Sequence, residues 1–61
     1  MTRPLFEKLS PGDWVVFQNS SHMNGQAVHV IEKSGDDIIY EHPKLYCRCA
    51  HHYTKFKILA I

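Results

Sequence analysis

One stretch constrains this chain more than any other: residues 25–42, which read GQAVHVIEKSGDDIIYEH. Two runs rich in β-branched and aromatic residues, 26–33 and 37–42, flank the turn-forming triplet Ser34-Gly35-Asp36. Strand-forming runs around a Gly-Asp pair specify a β-hairpin. The first run contains a conflict. Val28 and Ile31 are its candidate core residues, yet at three positions apart they face opposite sides of a flat strand. A bulge or sharp bend between them resolves it, and such a bend lets a short sheet curl. His42-Pro43 ends the returning run, because proline has no N–H to give to a ladder.

The flanking segments read as single strands wrapped around this hairpin. Ser10-Pro11-Gly12-Asp13 places Pro and Gly at the two central positions of a type II turn. That turn launches a strand over 14–18, with Val15 and Phe17 directed inward. Trp14, on the opposite face, is expected to pack beneath the N-terminal segment 4–9, with an exposed partner anchor as the alternative. There Pro4 suits a first helical position, and Leu5 with Leu9 would share a face. A polar loop follows over 19–25, with Met23 its one large apolar residue. Residues 45–51 form a further strand, with Leu45, Cys47, Cys49 and His51 on one side and Tyr46, Arg48, Ala50 and His52 associated with the other. A short turn over 52–55 leads to a last strand over 56–61. At 61 residues the chain is one domain, 1–61, near the lower size limit for independent folding. The expected architecture is all-β: a five-stranded small closed barrel with a short N-terminal turn or helical segment.

The run LSPGDWVVF…NGQAVHVI sets a Gly-Asp turn before an alternating strand and a Gly before the next. It resembles the opening of SH3-like barrels of the KOW and translation-protein type, over roughly residues 9–40. The resemblance implies an SH3-like barrel and a tendency to serve as a binding module.

Charge is the main functional signal. The net charge is +1, but residues 1–41 hold all six acids, while 42–61 hold Lys44, Arg48, Lys55 and Lys57 with none. Cations interleave there with aromatics, so Lys44, Tyr46, Arg48, His52, Tyr53, Lys55 and Lys57 form the candidate partner-binding set. That pattern suits an acidic protein surface, since Tyr and Arg anchor interfaces. It also suits phosphates and stacked bases, which makes RNA or DNA the alternative partner. A pI of 7.9, below the value near 9 usual for dedicated nucleic-acid binders, favours protein. The expected function is therefore a non-enzymatic regulatory module that docks an anionic partner. No nucleophile motif or phosphate loop is present, and the adjacent Asp36 and Asp37 are explained by the hairpin turn.

Cys47, Cys49 and His51 carry zinc-ligand chemistry, which makes a small zinc-stabilised domain a second alternative. The Cys-x-Cys spacing opposes it: residues two apart in a strand lie about 6.5–7 Å apart. Two sulfurs on one zinc must approach to about 3.8 Å. The preferred reading has no cofactor and makes both cysteines small core residues. Surface roles are expected for His22 and His29. No apolar run reaches membrane-spanning length, so no membrane partner is expected. The N-terminus lacks a signal-peptide core, and the paired thiols fit a reducing, cytoplasmic setting. Pairing of an open sheet edge with a second copy is left open.

Overall fold

The computed structural model describes residues 1–18 and 23–59. The elements in chain order are a short helix α1 (Arg3–Lys8), β1 (Trp14–Phe17), β2 (Ala27–Ser34), β3 (Asp37–Glu41), β4 (Arg48–His52), a 3-10 turn (Tyr53–Lys55) and β5 (Phe56–Ile58). The protein is all-β apart from these short helical turns. His22, most of the expected 19–25 loop and the end of the expected last strand lie outside the described residues.

The strands form one antiparallel sheet in the order β4-β3-β2-β1-β5. Val15 pairs with Val28 and Ile58, and Phe17 with Phe56. Beyond its first half, β2 turns from β1 to β3, and a register shift between Val30 and Glu32 marks the bend. The bend lies one step from its expected place. Val28 and Val30 are the buried pair, whereas Ile31 is the extra, half-buried residue at the bulge.

Turn chemistry follows the sequence closely. Asp13 N–H donates to the Ser10 carbonyl at 3.1 Å, and Gly12 takes φ +98, as a type II turn requires. Ser34 pairs with Asp37 around Gly35-Asp36, with Gly35 at φ +58.

The core lies on one face of the bent sheet. Val15, Phe17, Val28, Val30, Ile38, Tyr40 and Phe56 are all buried there, and Phe6 and Leu9 complete it from the N-terminal side. Phe17 meets Phe56 at 4.5 Å and the edge of Tyr40 at 5.2 Å between ring centroids. The His51 ring of β4 stands 5.5 Å from Phe17, so the bend carries β4 over the residues of β1.

Three expectations are corrected. The sheet does not close into a barrel by strand pairing: among the described residues no ladder joins β4 to β5. The N-terminal segment reaches β5 and the turn before it: the Met1 amino group donates to the Phe56 carbonyl, and the Phe6 ring stacks on Tyr53 at 4.8 Å. Second, Leu5 and Leu9 do not share a buried face: Leu9 is buried together with Phe6, whereas Leu5 is exposed. Third, Trp14 is not covered by that segment and is 50% exposed. The cause is that α1 docks on the inner side with Val15 and Phe17, leaving the Trp14 face of β1 open. No helix among the described residues is long and apolar enough to cross a membrane.

Candidate functional site

The loop joining β3 to β4 is closed by its own backbone. His42 N–H donates to the Cys47 carbonyl at 2.8 Å, and Tyr46 N–H donates to the His42 carbonyl at 2.9 Å. His42 Nδ1 accepts from the backbone N–H groups of Lys44 and Leu45, each at 3.1 Å. This ring does locally what an Asn or Asp does in an Asx-turn. Strand β4 consequently starts at Arg48, later than expected, and residues 45–47 belong to the loop.

Closing the loop places Tyr46 at φ 55, the one non-glycine residue in the left-handed region among those described. That conformation costs an L-residue about 1–2 kcal/mol. Tyr46 is 78% exposed and the neighbouring Leu45 is 69% exposed. The tip therefore combines a strained backbone with two large apolar side chains in water.

Beside the tip, on the outer face, lies an open groove of about 240 Å³ whose walls include Trp14, Ala27, His29, Glu41, Pro43 and Tyr46. Register explains the assembly. Trp14 faces His29 across β1–β2, and Glu41 faces Arg48 across β3–β4. The His29 ring sits 5.0 Å from the Trp14 ring, and its Nε2 is 2.8 Å from the Gly12 carbonyl.

The candidate binding residues divide into three places. Lys44, Tyr46 and Arg48 are exposed and gather at the tip and its exit into β4. His52, Tyr53 and Lys55 lie at the far end of β4. There His52 Nδ1 accepts from the Thr54 N–H at 3.3 Å, capping the 3-10 turn. Tyr53 is half-buried, stacked between Phe6 and His52 with the Arg3 guanidinium 5.9 Å from its ring. Lys57 stands on β5, beside Val16 and on the opposite edge of the sheet. Sequence reasoning missed Leu45 as a tip residue and Trp14 with His29 as a groove wall. The available signal was position: Leu45-Tyr46 comes one residue after Pro43, which ends the preceding ladder.

The cysteines are not both core residues. Cys47 is exposed and Cys49 is half-buried against the core, with their sulfurs 3.8 Å apart. Burial raises the Cys49 thiol above its ordinary value, helped by the hydrogen bond with Cys47. The neighbouring Tyr40 phenol is pushed up to about 12, chiefly by burial and then by Cys49. Its hydroxyl lies 3.0 Å from His51 Nδ1. Among the described residues, no three His, Cys, Asp or Glu side chains gather into a metal-binding group.

Comparison of the chain with protein-family models, curated proteins and solved structures finds no match in any of the three. The class that stands on the fold is that of a small all-β protein.

Proposed function

We propose that this protein is a non-enzymatic binding module that docks an anionic surface of a partner protein through the β3–β4 tip. Tyr46 and Leu45 serve as apolar anchors, with Lys44 and Arg48 supplying charge. One observation carries the reading: an exposed tyrosine held in a backbone conformation that disfavours it. Strain of this kind persists where the surroundings enforce it and clusters at recognition sites. Burial of a rigid aromatic with adjacent cations is the usual make-up of an interface anchor. His52, Lys55 and Lys57, with the half-buried Tyr53, lie away from the tip and take a secondary part in this reading. The adjacent acids are accounted for without catalysis, since Asp36 accepts from Arg3 and Asp37 begins β3.

For the architecture, we propose an SH3-like barrel whose wrapping depends on side-chain packing at the seam. Support comes from the five antiparallel strands, the bulge in β2 and the core held between the two arms of the bent sheet.

The test is capture from native lysate by immobilised protein, with and without nuclease, alongside Tyr46→Ala and the double variant Lys44→Glu with Arg48→Glu. A nuclease-resistant partner retained by the wild type and lost with both variants is the expected result. Loss of all bound material on nuclease treatment transfers the reading to RNA or DNA. A nucleic-acid complex neutralising four phosphates shows a log–log salt slope of about −3 to −4. Equal capture by all three proteins removes the tip from the interface.

A further inference from the structure

We infer that the outer groove lined by Trp14, Tyr46 and Glu41 seats the trimethylammonium group of a methylated lysine carried by the docking partner. The inference rests on the protein-partner reading above and adds the chemistry of one side chain that the partner presents.

The groove encloses about 240 Å³, and its lining is mostly carbon, with Ala27 and Pro43 beside the two aromatic residues. Trp14 comes from β1 and Tyr46 from the β3–β4 tip, and both are exposed. The face of an aromatic ring is electronegative and attracts a cation, tryptophan most strongly. Glu41 adds a formal negative charge to the same wall. That charge is not spent inside the protein. Arg48 is the register partner of Glu41, yet the ion pairs among the described residues are both made by Arg3. An aromatic hollow with an unspent carboxylate is complementary to a cation.

The other polar atoms of the lining select the kind of cation. His29 Nε2 is engaged with the Gly12 carbonyl at 2.8 Å. His42 Nδ1 is engaged with the N–H groups of Lys44 and Leu45. A primary ammonium brings three N–H donors and a tightly held hydration shell, and this wall offers few acceptors to replace that water. A trimethylammonium carries no N–H. Its methyl groups rest against ring and proline carbon while its charge is felt by the aromatic faces and by Glu41.

The shape selects the carrier. Dedicated small-molecule pockets hold about 300–1,000 Å³ and cover most of their ligand, whereas this groove is smaller and open. It suits the end of a long side chain whose backbone rests on the neighbouring tip. The partner surface is then an acidic segment with one methylated lysine in it. Its acids meet Lys44 and Arg48, and its methylated side chain meets the carboxylate of Glu41.

The experiment titrates the full chain with an aspartate-rich peptide containing trimethyllysine. The controls are the same peptide with unmodified lysine, the same peptide with the uncharged tert-butyl isostere, and free choline. Trp14 is the chain's one tryptophan, so its fluorescence reports occupancy of the groove directly. The trimethylated peptide should bind about threefold or more tightly than any control. Glu41 is exposed, so Glu41→Gln keeps the fold and should shrink that preference. Equal binding of the three peptides, no binding of the trimethylated one, choline binding as tightly as that peptide, or an unchanged preference in Glu41→Gln overturns the inference. The tip reading fails by a different sign: Lys44→Glu with Arg48→Glu would then leave the affinity for every peptide unaltered, with the preference for the trimethylated one intact.

Discussion

Two turns bound the inner strand β3, and each contains a residue in the left-handed region. At one end Gly35 takes φ +58; at the other Tyr46 takes φ +55. Glycine has no Cβ to clash there, whereas tyrosine does. The surroundings differ as much as the residues. The Gly35-Asp36 turn is tied down, because Arg3 reaches Asp36 and the Tyr53 N–H donates to the Asp36 carbonyl at 3.0 Å. The tip around Tyr46 projects into solvent and presents its side chains outward. A turn that only connects strands is built from the residue its geometry prefers. The other turn keeps an ill-suited, exposed aromatic, and in the reading proposed above that residue is kept for contact with a partner.

The strongest challenge to this contrast weakens the strand both turns share. Tyr40 holds its phenolic proton in the folded chain up to about pH 12, against an ordinary value of 10. The folded state therefore binds more protons than the unfolded one in that window. The contribution of Tyr40 to stability is complete below pH 10 and is lost as pH rises through about 12. The loss should amount to at most about 2–3 kcal/mol. Urea midpoints measured across this range should drop in the wild type and change far less in Tyr40→Phe. A flat wild-type profile would mean that the hydroxyl is open to water.

Next in size is the connecting turn. Gly35→Ala should cost about 1–2 kcal/mol in a denaturation experiment, because alanine acquires the strain that glycine avoids. Nothing lies within 4 Å of a Cβ built at Gly35, so the whole effect is conformational. The matching change at the other end has the opposite sign. Tyr46→Gly should stabilise the fold by about 1 kcal/mol while abolishing partner capture. A destabilised Tyr46→Gly protein would show that the ring supports the fold, and the contrast between the turns would collapse. The smallest effect concerns the tip's internal brace. His42→Ala removes the acceptor for two loop N–H groups and should cost roughly 1 kcal/mol or less. His42→Asn, which can replace that acceptor, should recover most of the loss in the same thermal melts.

Much of the fold was legible because its signals are local. Pro11-Gly12 and Gly35-Asp36 specify their turns through backbone chemistry alone, and the alternation of Val15 with Phe17 fixes a face. What escaped depends on packing between distant segments. Whether Leu5 or Phe6 is buried depends on where α1 docks, and that same docking leaves Trp14 open. The bulge was foreseen, but its place depended on Val30 pairing with Tyr40. At the candidate site, the cations read as one strand-borne patch. The fold separates them: Lys44 and Arg48 lie at the start of β4, Lys55 beyond its far end and Lys57 on β5. The approach of the two sulfurs was not readable from Cys-x-Cys spacing on a strand, since Cys47 lies in the loop and only Cys49 on β4.

The strand order has a kinetic corollary. Among the described residues, β1, β2 and β3 are each held by neighbours on both sides, while β4 has a partner only in β3. The β3–β4 loop thus hangs between the most protected kind of strand and the least. Deuterium should enter the outward-facing amides of residues 48–52 long before it reaches those of residues 38–40. An incoming molecule at the tip would meet a hinge with one fixed leaf and one that breathes, and ordering the loose leaf would slow exchange from that side first.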